Sequence, residues 1–253
     1  QNPVYQREKG AWGTPNPFYE RLSRMSPFVV MGAIVLGGCF GFNNPALFGG
    51  NDELAVVYCL LCLPGFLLSS LTLYATFMAP ALTAPSISME LNRGTWDMLR
   101  PTPQPLHTLM LAKLFGGLAR MRIWLVLLGL SLLQGLATAV LGLAGGPNFA
   151  LWGVLIGLMA ILKPWVEILF AALAGLYAAT RASSERAALV GSYAAVVLMK
   201  LFVNTAVFGG VTTALGAEEF VPVVVAAAGP TLVYLLVDLS LIAGIGRWAA
   251  NLA

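Results

Sequence analysis

Six long apolar runs, separated by short polar connections, constrain the fold of this chain more than any other feature. The runs cover, approximately, residues 26–42, 54–79, 123–143, 149–180, 187–215 and 220–245. A helix of about 20 apolar residues crosses the hydrocarbon core of a bilayer. Only helices and closed barrels pair every backbone polar group in lipid, and no run shows the alternating polarity of barrel strands. We therefore predict an all-α integral membrane protein with six transmembrane helices.

Two of these runs depart from the usual length of a membrane span. Residues 26–42 are at the short limit. Residues 149–180 are too long for an upright helix. We expect this segment to tilt, to bend at Pro164 or to project from the membrane.

The composition excludes a soluble globular domain. Only 10% of the residues are charged and the mean hydropathy is +0.82, whereas about a quarter of the residues in a soluble domain carry a charge. The net charge of +3 is small. It gives no support to a nucleic-acid-binding surface, so we expect no nucleic acid partner.

The distribution of basic residues predicts which helix ends face the cytoplasm. Of the 14 Lys and Arg residues, all but Lys163 and Lys200 lie before the first run, in the second and fourth connections, or after the last run. The first, third and fifth connections contain none. Cytoplasmic loops of membrane proteins are enriched in Lys and Arg. We predict a multi-pass protein of the cytoplasmic (inner) membrane with both termini in the cytoplasm.

Residues 1–25 precede the membrane domain, residues 26–253, and are predicted to form a cytoplasmic segment with an amphipathic interfacial helix. Phe18, Leu22 and Met25 recur at helical spacing, with charged and polar residues on the opposite face. Such a helix lies along the membrane with its basic residues near anionic headgroups, which makes membrane lipid a partner. A solvated lead-in to the first span is the alternative.

Residues 86–122 form an unusually structured cytoplasmic connection between the second and third runs. The stretch MELNRGTWDMLRPTPQPLHTLMLAK begins at Met89 and places acids, bases, a Trp and three prolines between two apolar segments. Gly94 weakens a helix here and Pro101 ends it, so we predict a short, interrupted helix followed by a Pro-rich turn. A connection that only joined two spans would not need about thirty residues with this much order.

This stretch resembles the segment between the second and third spans of ABC-2 type transporter permeases. That segment reads E-R-x-x-G-T-x-x-x-L-x-x-T-P, followed by a helix with a Lys. The residues that carry the resemblance are Glu90, Arg93, Gly94, Thr95, Leu99, Thr102, Pro103 and Lys113, with Arg93 directly before Gly94 rather than directly after Glu90. The NPF near the start of the chain and the stretch ALAGLYAATRASSERAALVGS are also similar to that family.

The resemblance implies that the segment is a coupling helix that docks on a separate ABC ATPase subunit. The implied partner-binding residues are Glu90, Arg93, Gly94, Thr95, Trp96, Asp97, Leu99, Arg100, Thr102 and Pro103. A cytoplasmic interface of this kind needs an aromatic anchor, here Trp96, surrounded by charges that set its orientation. The alternative is a juxtamembrane helix that rests on headgroups with Trp96 as its interfacial anchor.

The family implies a half-transporter that exports a substrate together with a second permease half, as a homodimer or a heterodimer. The chain contains no G-x-x-x-x-G-K-[ST], so we expect ATP and Mg to bind on the partner subunit and no cofactor to bind here. We predict no enzymatic activity, no catalytic residue and no metal. His107 has no second ligand at metal-binding spacing, and Cys59 and Cys62 lie inside an apolar run.

Four ionisable residues lie inside apolar runs and are candidate functional residues, namely Lys163, Glu167, Lys200 and Asp238. Lys163 and Glu167 are one helical turn apart and can pair locally. Glu167 and Lys200 both lie about 20 Å from the predicted cytoplasmic ends of their helices, at about 1.5 Å per residue, so a pair between helices is also possible. The charges either stabilise the bundle or line a substrate or ion path.

Pairs of glycines four residues apart mark candidate sites of close helix packing. They are Gly37 with Gly41 and Gly153 with Gly157. Small residues at this spacing allow two membrane helices to approach closely.

Two functions outside the exporter class also fit the sequence. One is a scaffold subunit of a larger respiratory or photosynthetic complex that retains the permease fold without transporting. The other is an ion-coupled carrier that uses the buried charges, which the lack of a visible internal repeat disfavours. A neighbouring gene for an ATPase with a P-loop would favour the exporter.

Overall fold

The computed structural model describes residues 52–92, 106–121, 123–144, 146–182, 184–203 and 220–252. All regular secondary structure in these ranges is helical, which confirms the predicted all-α class. The helices are α1 (Asp52–Asn92), α2 (Leu106–Ala119), α3 (Trp124–Ala144), α4 (Pro147–Arg181), α5 (Glu185–Phe202) and α6 (Phe220–Leu252). The predicted interfacial helix and the first apolar run lie outside the described residues.

Four of the described helices contain segments that are long and apolar enough to cross a membrane. These segments are Pro64–Pro85 in α1, Trp124–Ala144 in α3, Ala150–Arg181 in α4 and Ala228–Trp248 in α6. They correspond to the second, third, fourth and sixth predicted runs. The fifth run is represented by α5, which has 18 residues. The chain is therefore a helical membrane protein with at least four candidate spans, and six spans stay a prediction.

Large apolar side chains cover the outer surfaces of the candidate spans. Leu125 of α3 is 84% exposed, Leu151 of α4 is 66% exposed and Leu236 of α6 is 65% exposed. In water each such side chain would cost about 1.5–3 kcal/mol relative to burial. In lipid this cost disappears, because the acyl chains are as apolar as the side chains. These outward-facing residues fit a protein that is embedded in a membrane.

Helix α1 continues far beyond the end predicted for the second span. We predicted an end near Ala79 and a separate short helix after Met89, but α1 passes through Pro80 and Pro85 and ends at Asn92. The prediction of a break was wrong because membrane helices tolerate proline where neighbouring helices and hydroxyl side chains satisfy the freed carbonyl groups. At about 1.5 Å per residue, α1 extends well beyond the thickness of a hydrocarbon core.

The chain divides into two compact units. The first unit contains residues 1–13, 75–121 and 165–253, and the second contains residues 14–74 and 122–164. Helices α1 and α4 each belong to both units, with boundaries after Tyr74 and after Pro164. Pro164 lies inside the continuous helix α4.

A helical hairpin of α3 and the first half of α4 forms the described part of the second unit. Gly146 has a φ of 104°, a left-handed conformation that favours glycine, and Pro147 begins α4 where its missing N–H costs nothing. Side chains on Gly153 and Gly157 would collide with the backbone of α3 at Gly142 and Gly135. The predicted close packing at Gly153 and Gly157 is therefore confirmed.

The second half of α4 lies at the centre of the first unit. All side-chain positions from Phe170 to Leu176 are buried, which covers every face of the helix over two turns. The hydroxyl of Thr83 in α1 lies 3.0 Å from the carbonyl oxygen of Ala172 and 3.0 Å from that of Ala79. This contact joins α1 to α4. Helices α5 and α6 contact the same half of α4 through the polar residues described next.

Candidate functional site

An ion pair joins the middle of α4 to the last turn of α5. The ammonium nitrogen of Lys200 lies 2.7 Å from Glu167 Oε2, and the two side chains are 23% and 9% exposed, respectively. Of the two pairings considered for Glu167, the pairing between helices is the one present. Lys163 is exposed and belongs to the second unit. The similar depth of Glu167 and Lys200, counted from the helix ends, was sufficient to find this pair.

A stripe of polar side chains on α6 faces the interior of the same unit. Thr231, Tyr234 and Asp238 are each at most 3% exposed. They are three and four residues apart, so they share one face of the helix. The Tyr234 ring packs against Phe170 of α4, with 5.4 Å between ring centroids. Phe170 is one turn from Glu167.

The α6 stripe and the Glu167–Lys200 pair form one polar cluster, which we call the buried charge cluster. Its members are Glu167, Lys200, Thr231, Tyr234 and Asp238. Both Glu167 and Asp238 are close enough to Tyr234 to act on its hydroxyl electrostatically. The fold therefore brings three of the four predicted intramembrane charges into one region of the first unit.

Asp238 differs from the other charged members of the cluster because its carboxyl group has no partner. Neither carboxyl oxygen forms a hydrogen bond, and both are inaccessible to solvent. The hydroxyl of Thr231 is also buried without a partner. A buried polar group without a hydrogen bond costs about 1–3 kcal/mol, and an unpaired buried charge costs more. A group held at such a cost is a candidate for function.

Lys113 of α2 is completely buried. We counted it among the bases of the cytoplasmic connection, and its burial was not expected there. Helix α2 packs against α6, and its Leu109, Leu114 and Leu118 are buried as well. Lys113 makes contacts of its own within the protein. The apolar residues around Lys113 indicated a helix that packs against other helices. They did not indicate whether Lys113 would lie on the buried or the exposed face of that helix.

Most of the predicted partner-binding residues lie outside the described residues. These are Arg93, Gly94, Thr95, Trp96, Asp97, Leu99, Arg100, Thr102 and Pro103. Glu90 belongs to the last turns of α1, beyond the candidate span that ends at Pro85. The role of this segment stays a prediction.

Metal chemistry has no support in the part of the chain that the structure describes. No group of three or more His, Cys, Asp or Glu side chains lies close enough together there to hold a metal ion. His107 lies in the first turn of α2, and Cys59 and Cys62 lie in α1. The buried charge cluster offers two carboxyl groups, one ammonium group and two hydroxyl groups, which suit the binding of a single positive charge.

Sequence reasoning missed Thr231 and Tyr234 as members of the cluster. Both are uncharged, and a Thr or a Tyr in an apolar run attracts no attention by itself. Their spacing to Asp238 was the available signal, because positions four and seven residues before Asp238 lie on its face.

Comparison with known protein families, with curated proteins and with solved structures finds no match to this chain. The site must therefore be interpreted from its own residues. They form a polar cluster inside the first unit. Thr83 of α1 contacts α4 in the same unit, and α4 carries Glu167 of the cluster.

Proposed function

We propose that this chain is the membrane-spanning permease subunit of an ABC-type exporter, driven by ATP hydrolysis on a separate subunit. The observation that carries the proposal is the stretch MELNRGTWDMLRPTP, which resembles the coupling segment of ABC-2 permeases. The described architecture supports it in one respect. Helix α1 leads without interruption from a candidate span to this stretch, ending at Asn92.

The same architecture suggests how movement reaches the membrane. In the proposal, closure of the ATPase subunits displaces the segment after Met89, and α1 carries the displacement into the bilayer as one continuous helix. The Thr83 contact with Ala172 passes it to α4, which holds Glu167 of the buried charge cluster. A switch of this type requires packed elements with two discrete arrangements rather than a continuously deforming chain. The polar cluster is the proposed place where the helices rearrange.

The proposed orientation follows from the charged residues at the helix ends. Arg181 ends α4 and Arg186 is in the first turn of α5, while the tip of the α3–α4 hairpin carries no charge. Basic residues concentrate on the cytoplasmic side of membrane proteins. We therefore propose the cytoplasmic membrane, with both termini, the segment 86–122 and the ATPase on the inner side.

The proposed assembly contains two permease halves and two ATPase subunits. A single permease half exposes apolar surface on every candidate span, which lipid or a second permease half can cover. Lipid and the second half are therefore both partners, and no nucleic acid is expected.

The test is purification of the tagged chain from its native membrane in mild detergent, with identification of the proteins that accompany it. We expect an ATPase subunit with a P-loop. The variant combines Trp96→Ala with Arg100→Glu, which removes the aromatic anchor and reverses a neighbouring charge. Truncation of such an anchor costs about 2 kcal/mol or more, so the ATPase should be released while the variant still inserts and folds.

The matched control makes the same two changes outside the segment, at Trp124→Ala and Arg186→Glu. Both positions are at helix starts that the charge pattern assigns to the cytoplasmic side. This control should retain the ATPase. Equal loss from both variants would mean that the segment is not the docking site. Recovery of other membrane subunits and no ATPase, already with the unchanged chain, would replace the exporter by the scaffold subunit.

A further inference from the structure

We propose that Asp238 is a proton-binding site inside the membrane, occupied in the described arrangement of helices and able to exchange its proton when the helices rearrange. The inference goes beyond the proposed export function and does not depend on it. It rests on the burial of Asp238, on the absence of a partner for its carboxyl group, and on the charges around it.

Among the residues that the structure describes, the charges near Asp238 leave one negative charge without compensation if its carboxyl group is ionised. Glu167 and Lys200 neutralise each other at 2.7 Å. Tyr234, one turn from Asp238, carries a phenol that is uncharged at neutral pH. Arg247 on the same helix is exposed, and its Nε donates to the carbonyl oxygen of Ala243.

Among the described charged groups on the helices that pack against α6, none forms a hydrogen bond with Asp238. Lys113 of α2 makes its own contacts, and it forms no hydrogen bond with Asp238, since neither carboxyl oxygen has a partner. Arg181 of α4 is exposed and lies over the Tyr177 ring. The remaining charged group on this half of α4 is Glu167, which is negative and already paired. Asp238 must therefore acquire a positive charge or lie in the membrane as an unpaired anion, which is expensive.

A proton fits this position better than any larger cation. The accessible area of each Asp238 oxygen is below 1 Å², so neither oxygen faces a space in which an ion or an organic cation could bind. Hard metal cations take about six or more oxygen ligands. Among the described residues, no group of three or more His, Cys, Asp or Glu side chains that could hold a metal ion includes Asp238. A proton needs no cavity, and it converts the carboxylate into a neutral acid that tolerates an apolar environment.

Proton occupancy is then linked to helix arrangement. The neutral acid is favoured while Asp238 is buried, and a movement that admits water favours the carboxylate. Because linkage is reciprocal, a bound proton favours the closed arrangement, and its release favours the open one. The exporter, the scaffold and the carrier could each use such a site.

The first experiment uses dicyclohexylcarbodiimide, an apolar reagent that modifies protonated carboxyl groups in membranes. The full-length chain in its native membrane vesicles is treated at a series of pH values, and peptides are analysed by mass spectrometry. We expect modification of Asp238 at neutral pH, a decrease as the pH rises, and no modification of this peptide in Asp238→Asn. Glu167, which is paired with Lys200 at 2.7 Å, serves as the comparison site in the same digest.

Lys200→Met is the control for access of the reagent. This variant removes the counter-charge of Glu167, and modification of Glu167 in it shows that the reagent reaches the cluster. If Glu167 is modified in Lys200→Met and Asp238 is unmodified at every pH, the proposal is wrong.

The second experiment does not depend on reagent access. Infrared spectra of the purified chain in lipid should show the C=O stretching band of a protonated carboxylic acid, which Asp238→Asn removes and Glu167→Gln retains. The band should shift after incubation in heavy water, since an exchangeable proton is replaced by deuterium. Absence of the Asp238 band would overturn proton binding. A band that never shifts in heavy water would show that Asp238 holds its proton permanently. The proposed exchange of that proton would then be wrong.

Discussion

The Glu167–Lys200 pair can be broken by replacing either residue. We expect Lys200→Met to lower the free energy of unfolding more than Glu167→Gln does. Lys200→Met leaves Glu167, which is 9% exposed, as a buried carboxyl group without its counter-charge. Loss of one partner of a buried pair costs about 3–5 kcal/mol, and we expect the lower end because the pair is not completely buried. Glu167→Gln leaves an ammonium group on a side chain that is 23% exposed and flexible enough to reach water. We therefore expect a smaller loss there, of about 1–2 kcal/mol.

The double variant measures the interaction itself. With both charges removed, no uncompensated charge is left, so the loss should be close to that of Glu167→Gln alone. The resulting coupling energy is about 3 kcal/mol, at the upper end of the usual range for directly contacting residues. The assay is unfolding of the purified chain in mild detergent by titration with sodium dodecyl sulfate, followed by circular dichroism. Losses that simply add would show that the two side chains do not stabilise each other.

Two further predictions concern the orientation and the packing of the helices. Cysteines introduced at Asn51 and Glu218 should react with a membrane-impermeant maleimide added outside intact cells, while a cysteine at Gln104 should react only after permeabilisation; outside labelling of Gln104 would contradict the orientation. Gly157→Ala should lower the midpoint of detergent unfolding, since its Cβ would lie 2.5 Å from the Gly135 carbonyl oxygen, whereas Gly129→Ala in α3 meets nothing within 4 Å and should leave the midpoint unchanged or raise it. An equal effect at both glycines would argue against close contact of α3 and α4.

Features that depend on the number of residues along the chain could be predicted from the sequence. A run of apolar residues fixes a span because the bilayer has a fixed thickness, so α3 begins at Trp124, within one residue of the predicted start. Depth follows from the rise per residue, and this located Glu167 opposite Lys200. The spacing of Gly153 and Gly157 predicted close helix packing for the same reason, since residues four apart share a helix face.

Features that depend on which helix face is buried could not be predicted in this way. In a soluble helix, polar residues mark the exposed face, but in a membrane both the lipid-facing and the interior-facing residues are apolar. The burial of Lys113 and the inward position of Tyr234 therefore needed the tertiary structure. The end of α1 was missed for another reason. Pro80 and Pro85 would stop a helix in water more readily than they stop one packed inside a membrane.

The hairpin of α3 and α4 also bears on how the chain enters the membrane during synthesis. Gly146 lies at its tip, directly before α4, and the sequence from Ala144 to Asn148 contains no charge. Moving such a tip through the hydrocarbon core exposes few polar groups, since the amide of Ala150 already donates to the carbonyl of Gly146. The two helices can therefore insert together as one unit, without a separate step that transports a hydrophilic loop. A single arginine at the tip would add a charge, and moving that charge across the membrane costs about 2.5–3.5 kcal/mol or more. This cost would apply during insertion, even if the completed fold tolerated the arginine.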